Sequence, residues 1–370
     1  MMTEAIRSTA EDVDVAIGSN GALGTIALNR PRARNAITAD MRSRIAAAFP
    51  NYARDPNIYA VMISSNVPGI FSAGGDLREL SALVESNFEG AKRLLADKYA
   101  LVWLQECFSK PTVSLIDGIV MGNGVALTMF GTHRVAGERY EFAMPEAAVG
   151  CHPDDGMASV FARMPGHIGM YLGLTGRRIG RADAYALGLV THCIPAARFA
   201  EISAGLADAD PVDPLLDDRH EHPGEGDLHR RRDLIETCFG APTLEDVLAR
   251  LKERSQGSGE DRSWCGGVLA DLQQRSPTAL AIIFRHIRGS AERDLRQTLA
   301  TDYRLACQLV QCHDFAEGVR AVLKDKDNTP RWSPSRVEMV DQANLESWLA
   351  PTAAVELNLP TREEMQAARV

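Results

Sequence analysis

Two glycine turns and an acidic stretch hold the residues best suited to chemistry. The turns are Phe71-Ser72-Ala73-Gly74-Gly75-Asp76 and Met121-Gly122-Asn123-Gly124. The acidic stretch runs from Met144-Pro145-Glu146 to Pro153-Asp154-Asp155-Gly156. A glycine turn between a buried strand and a helix frees backbone N–H groups to face an anion or a polarised carbonyl oxygen. Singly, each turn reads as ordinary punctuation between elements. Together they suggest two donors on one oxygen, which would stabilise charge developing during enolate or tetrahedral chemistry. Glu146 follows a proline and Asp154 follows another eight residues on. The plainer roles of these acids are a helix-entry turn and an N-cap, with Asp155 the better placed N-cap. In one pocket the two carboxylates would push one pKa upward, as acid–base work requires.

The elements that must position these residues alternate between strand and helix patterns. Gly24–Asn29 and Tyr59–Ser64 read as strands, the second delivering the first glycine turn. Thr38 is expected to cap a helix through Met41, Ile45 and Phe49. A long helix from about Glu89 to Phe108 sets Leu94, Leu95, Leu101, Val102 and Leu104 against a polar face. Thr112–Ile116 is a strand leading to the second glycine turn, and a helix Val125–Phe130 leaves it. Tyr140–Met144 carries the chain into Glu146, and a helix from Gly156 to about Met164 would be capped by Asp154 or Asp155. This alternation predicts α/β organisation with parallel pairing. Ala209–Asp233 is rich in Asp, Pro, His and Gly and reads as an exposed insertion or lid. From Thr243 the pattern turns helical: Leu244–Arg254, Trp264–Gln274, Pro277–Arg288, Leu295–Val310 and Asp314–Val322.

Composition narrows the function classes. The 370 residues are 45% hydrophobic and 24% charged, enough to bury a core. A net charge of −9 argues against a nucleic-acid surface. Seven scattered cysteines without a C-x-x-C fit a reduced compartment better than a disulfide scaffold or zinc module. Met1–Asn20 is acidic and lacks an apolar run, so neither a signal nor a transit peptide is expected, and no stretch approaches the ~20 residues of a membrane span. A cytoplasmic location is the expectation. His220, His222 and His229 lack metal-ligand spacing, and no metal is expected. Neither a G-x-S-x-G elbow nor a P-loop lysine motif is present. Arg30, Arg32 and Arg34 could contact phosphate or form a solvated edge.

The chain resembles the enoyl-CoA hydratase/isomerase (crotonase) superfamily. Asn29-Arg-Pro-Arg-Ala-Arg-Asn-Ala36, the first glycine turn through Arg78, Lys110-Pro111 with Asp117-Gly118, and Ala143-Met-Pro-Glu146 carry the resemblance. It continues through Leu174-Thr-Gly-Arg177, Ala182-Asp-Ala184, Gly188-Leu-Val190 and Asp314-Phe-Ala-Glu-Gly-Val-Arg-Ala321. Within the superfamily the pattern is similar to the 3-hydroxyisobutyryl-CoA hydrolases. Ala126 stands where hydratases keep their first glutamate, Glu146 matches the second, and Pro153-Asp154 matches an aspartate found in the hydrolases. Ser276-Pro-Thr278, Tyr303-Arg304-Leu305 and Lys324–Pro334 match the hydrolase tail.

The resemblance implies a spiral of ββα units over residues 1–200, an insertion and lid-like helical segment over 201–275, and a C-terminal helical region over 276–370. It implies an acyl-CoA ligand, no cofactor beyond that coenzyme A, no membrane or nucleic-acid partner, and room for a homo-oligomer. The N–H groups of Gly75 and Asn123 would form the oxyanion hole. Glu146 would activate water or attack the thioester, and Asp154 would hold a 3-hydroxyl or share the proton work. The coenzyme's adenine end would lie near Ala33, Arg34 and Gly74, with Arg32 on a phosphate; Asp76, Gly122, His152 and Asp155 are the remaining substrate-binding candidates. Three departures stand out. The glycine triplet is Gly-Asn-Gly, and the hydrolase pattern Phe-Pro-Asp-Val-Gly-Gly is His152-Pro153-Asp154-Asp155-Gly156-Met157. A histidine, an extra acid and a methionine therefore line the stretch where the acyl group is expected. Thioester hydrolysis leads; a hydratase or isomerase working through Glu146 alone and a silent acyl-CoA-binding protein are the alternatives.

Overall fold

The computed structural model describes residues 13–351 and 356–370. Most of the Met1–Asn20 stretch in which no leader is expected thus lies outside the described residues. Among the described residues, ten strands form two sheets. The six-stranded sheet has the order β1 (Val15–Asn20), β2 (Leu23–Leu28), β3 (Ala60–Ser65), β5 (Thr112–Ile116), β7 (His133–Ala136), β10 (His192–Cys193). The four-stranded sheet has the order β4 (Gly69–Ser72), β6 (Gly118–Met121), β8 (Glu141–Ala143), β9 (Ile179–Gly180). Each spiral turn gives one strand to each sheet before a helix returns the chain: β3 then β4, β5 then β6, β7 then β8. This is the expected ββα spiral.

Parallel pairing explains the sequence of the inner strands. β2 pairs with β3 from Leu23↔Ala60 to Leu28↔Ser65, and β3 pairs with β5 at Ile63↔Ser114. Such strands are covered on both faces and need apolar runs rather than alternation. Ala60, Val61, Met62 and Ile63 are accordingly all buried. One expectation needs correction here. β3 and β5 do not deliver the glycine turns. Each hands the chain to a short strand of the second sheet, β4 or β6, and that strand ends at the turn. A four-residue strand has too little pattern to be seen beside its longer neighbour.

The helices follow their caps. Thr38 accepts a hydrogen bond from the Met41 N–H and starts the helix Ala39–Arg54, a cap worth ~0.5–2 kcal/mol. Asp76 caps Leu77–Ser86 by accepting from the N–H groups of Arg78 and Glu79. The long helix is Phe88–Cys107. The C-terminal layer holds Pro277–Gly289, Leu295–Leu309 and His313–Val319. Leu299, Leu305, Phe315 and Val319 on that layer are buried, and the layer roofs the second sheet's glycine turns. Within 209–233, Val212, Leu215 and Leu216 pack against Leu23, Ala60 and Val113 of the six-stranded sheet. None of residues 209–233 lines the cavity described below. No helix among the described residues is long and apolar enough to cross a membrane.

Candidate active site

A cavity of about 280 Å³ lies between the two glycine turns and the C-terminal layer. Gly74, Gly75, Asp76, Gly122, Asn123, Glu146, His152 and Asp154 line it, so most of the expected site residues converge. Ala306, Val310, Val322 and Leu323 form its apolar roof. Arg32, Ala33, Arg34 and Asp155 are not among its lining residues. Pro31–Ala33 forms a short 3-10 turn, and Arg32 is 71% exposed and paired with Asp14 at 2.8 Å. Asp76 is tied to Arg30 at 2.8 Å as well as capping its helix.

The backbone aims the two expected donors. Ile37 donates its N–H to Gly74 O, and Asp76 donates to Ile37 O, in a parallel bridge that flanks Gly75. In such a bridge the N–H of the central residue points the other way, so the Gly75 N–H is left free. Asn123 opens the helix Asn123–Met129, where N–H groups have no partner inside the helix. Among the described residues neither N–H has a hydrogen-bond acceptor. The turn between them requires glycine. Gly122 has φ +47° and ψ −125°, and a Cβ there would sit 2.8 Å from Glu146 Oε1.

Glu146 begins a 3-10 turn after Pro145, and its carbonyl oxygen accepts the Cys151 N–H at 3.0 Å. Its Oε2 is sealed from solvent and has no hydrogen-bond partner. Burial pushes this carboxyl well above the usual carboxylate range, and the charge on Asp154 pushes it further. Asp154 sits in a different setting: Lys98 Nζ lies 2.5 Å and Tyr99 Oη 2.7 Å from its Oδ2. Burial alone would lower the Lys98 pKa, but Asp154 and Asp155 overcome it and hold the ammonium charged. The two carboxylates thus share one cavity in unlike settings, Glu146 sealed without a partner and Asp154 beside a cation.

The capping expectation fails. The helix after the acidic turn is Met157–Ala162, its N-cap is Gly156, and neither aspartate side chain caps it. Asp155 is fully buried with φ +59°, its Oδ2 3.3 Å from Lys98 Nζ and 3.4 Å from Asn123 Nδ2. Asp302, from the helix Leu295–Leu309, does the anchoring instead by accepting the Gly156 N–H at 2.7 Å. Its other oxygen accepts from His286 Nε2 at 2.6 Å, and His152 Nε2 lies 3.5 Å away. Burial opposes ionisation of Asp302, but the two imidazoles outweigh it and hold the carboxyl below its usual range. These three side chains have ligand atoms within 4.8 Å of one another. Two ligands of a tetrahedral cation at ~2.0–2.2 Å would stand roughly 3.4 Å apart. The 2.6 Å His286–Asp302 contact is therefore a hydrogen bond rather than a ligand pair.

Arg42, Lys98, Tyr99, His286 and Asp302 were not singled out from the sequence. Ala126, where a second acid would stand in a hydratase, is 1% exposed, packs in the cluster with Tyr99 and does not line the cavity.

Comparisons with known proteins show the family. A family model for enoyl-CoA hydratase/isomerase matches residues 23–349. The chain belongs to that family. It is 33% identical to 3-hydroxyisobutyryl-CoA hydrolase 1 of Arabidopsis thaliana, over 97% of both chains. It is 33% identical to the mitochondrial 3-hydroxyisobutyryl-CoA hydrolase of Homo sapiens, over 90% of this chain and 87% of that one. A crystal structure of an enoyl-CoA hydratase from Rhodobacter sphaeroides superposes with a TM-score of 0.87 at 34% identity, covering 94% and 100% of the two chains.

Proposed function

We propose that this protein hydrolyses short acyl-CoA thioesters, with 3-hydroxyisobutyryl-CoA or a similar 3-hydroxyacyl-CoA as substrate. One observation carries the reading. Glu146 and Asp154 face one cavity with two free N–H groups, while the position of a second hydratase acid holds a buried Ala126. The similarity to named hydrolases supports it.

In this reading the thioester carbonyl oxygen lies against the Gly75 and Asn123 N–H groups. Ionised Glu146 takes a proton from water as the water oxygen bonds to the carbonyl carbon. The oxyanion collapses, the C–S bond breaks, and the sulfur leaves with the proton that Glu146 carries. Asp154 has Oδ2 occupied by Lys98 and Tyr99, and its Oδ1 has no hydrogen-bond donor among the described residues. That oxygen is the acceptor for a 3-hydroxyl.

Thiol release from a panel of acyl-CoAs, followed alongside enoyl absorbance, tests the reaction class. Release from 3-hydroxyisobutyryl-CoA is expected. Loss of crotonyl-CoA absorbance without thiol release would show a hydratase instead.

Two variants probe the geometry. Asp154→Asn removes the like charge beside Glu146, so the acidic limb of the kcat/KM profile should move to lower pH. The loss of rate should be larger for 3-hydroxylated than for unsubstituted acyl-CoAs; an equal loss on both would remove the hydroxyl-binding role. Gly122→Ala places a Cβ against the Glu146 carboxylate at a backbone angle that alanine disfavours. A fall in kcat on the order of 10²-fold is expected from such a displacement, with circular dichroism unchanged. Full activity in this variant would contradict the assigned position of Glu146.

A further inference from the structure

Arg42 lies on the helix Ala39–Arg54, lines the cavity and is only 4% exposed. A guanidinium offers five N–H donors and cannot discharge at neutral pH. This one makes two long hydrogen bonds, Nη1 to Leu94 O and Nη2 to Asn123 Oδ1, both 3.4 Å. Its Nε is sealed from solvent without a partner. Among the described residues it forms no ion pair within 4.0 Å, whereas Lys98 next to it forms two. A buried cation in that state loses its hydration and recovers little of it.

The nearby acids are engaged elsewhere. Asp154 pairs with Lys98. Asp155 also faces Lys98, and Asn123 separates it from the guanidinium. Glu79 accepts the Ala39 N–H at 2.9 Å through Oε2, and Asp97 is exposed. Glu146 resists ionisation in this burial, and Asp154 and Asp155 both lie against Lys98, so no carboxylate is left within 4.0 Å of Arg42. The guanidinium has no carboxylate partner of its own among the described residues.

Two of the departures from the hydrolase pattern meet at this point. Asn123 and Asp155 are hydrogen-bonded to each other, and Asn123 also touches Arg42. The polar side chain that replaces a glycine therefore links the unpaired guanidinium to the altered acidic turn. This part of the acyl pocket is built around charge, unlike the apolar roof of Ala306 and Val310.

We infer that the acyl chain this pocket accepts ends in a carboxylate, held by Arg42 and the Asn123 side chain, so that the substrate is a half-thioester of a short, 3-hydroxylated dicarboxylic acid. The inference rests on the proposed function for the thioester end and narrows its 3-hydroxyacyl class to carboxylated chains, with uncharged 3-hydroxyisobutyryl-CoA the slower substrate. A carboxylate matches the planar fork of a guanidinium and supplies the missing partner.

Binding and turnover test the two parts separately. The binding probes are the non-hydrolysable thioethers S-(3-carboxypropyl)-CoA and S-butyl-CoA, which differ at the chain end. Calorimetry on the wild-type protein should give at least tenfold tighter binding of the carboxylated thioether. Arg42→Met should bring the two dissociation constants together, and Arg42→Lys should keep part of the preference. Equal or weaker binding of the carboxylated probe by the wild type overturns the inference without needing any variant to fold. Thiol release is then compared for 3-hydroxy-3-methylglutaryl-CoA and 3-hydroxybutyryl-CoA, with faster release expected from the first. A binding preference without thiol release from any thioester would leave the anion site standing and sink the hydrolase reading. Thiol release with no carboxylate preference would do the reverse.

Discussion

Glu146→Gln is expected to reduce thiol release by about 10²–10⁴-fold, the usual contribution of a positioned general base. Glutamine keeps the shape of the side chain, so it fits beside Gly122 and the thioether dissociation constants should change little. What disappears is the ability to take a proton. In the wild type that ability grows with pH, because burial and then the Asp154 charge hold the Glu146 carboxyl well above the usual carboxylate range. The ionised base therefore accumulates as pH rises through the raised pKa, and kcat/KM should rise with it. The variant should show no such limb at any pH. A variant that retained wild-type thiol release would show that another group activates the water.

Asp302→Ala is expected to produce the largest loss of stability, about 3–5 kcal/mol, the range for removing one member of a buried ionic cluster. The carboxylate is fully buried, and its removal strands the Gly156 N–H and the His286 imidazole. Chemical denaturation should report the loss as a lower midpoint. Because the native Asp302 pKa is depressed, its contribution is complete above the ordinary aspartate pKa and fades as pH falls below it. The difference between wild type and variant should therefore shrink in acid. A constant difference down to the acid transition would mean that Asp302 acts through packing alone.

The part of the site that could be read from sequence follows chain order. Gly75, Asn123, Glu146 and Asp154 each stand just after a strand or a proline, where spacing and residue type carry information. The ββα spiral was legible for the same reason, except that β4 and β6 are too short to announce themselves. Arg42, Lys98 and Asp302 reach the site from helices. Their partners are long-range in sequence, 56 residues away for Lys98 and Asp154 and 146 for Asp302 and Gly156. A signal was nevertheless present. Lys98 sits between Leu94 and Val102 at four-residue spacing, on the buried stripe of its helix. Arg42 precedes Ile45 and Phe49 by three and seven residues on theirs, and Asp302 stands midway between Leu295 and Leu309. A charge within an apolar stripe must be paired or used: Lys98 and Asp302 are paired, and Arg42 is the one left for a ligand. The capping expectation at Asp154 and Asp155 failed because local propensity favoured an N-cap, whereas Lys98 and Tyr99 offered these acids stronger partners.

The anchor between Asp302 and Gly156 also imposes an order on synthesis. A ribosome adding ~5–20 residues per second needs roughly 7–30 s to travel the 146 residues from one to the other. During that interval both sheets can assemble on the nascent chain, but the turn carrying Asp154 is held only by Lys98 and Tyr99 and the cavity has no roof. Competence to consume thioesters would arrive only when the last third of the polypeptide emerges and docks. A prematurely terminated chain would then be inert toward the cell's acyl-CoA pool.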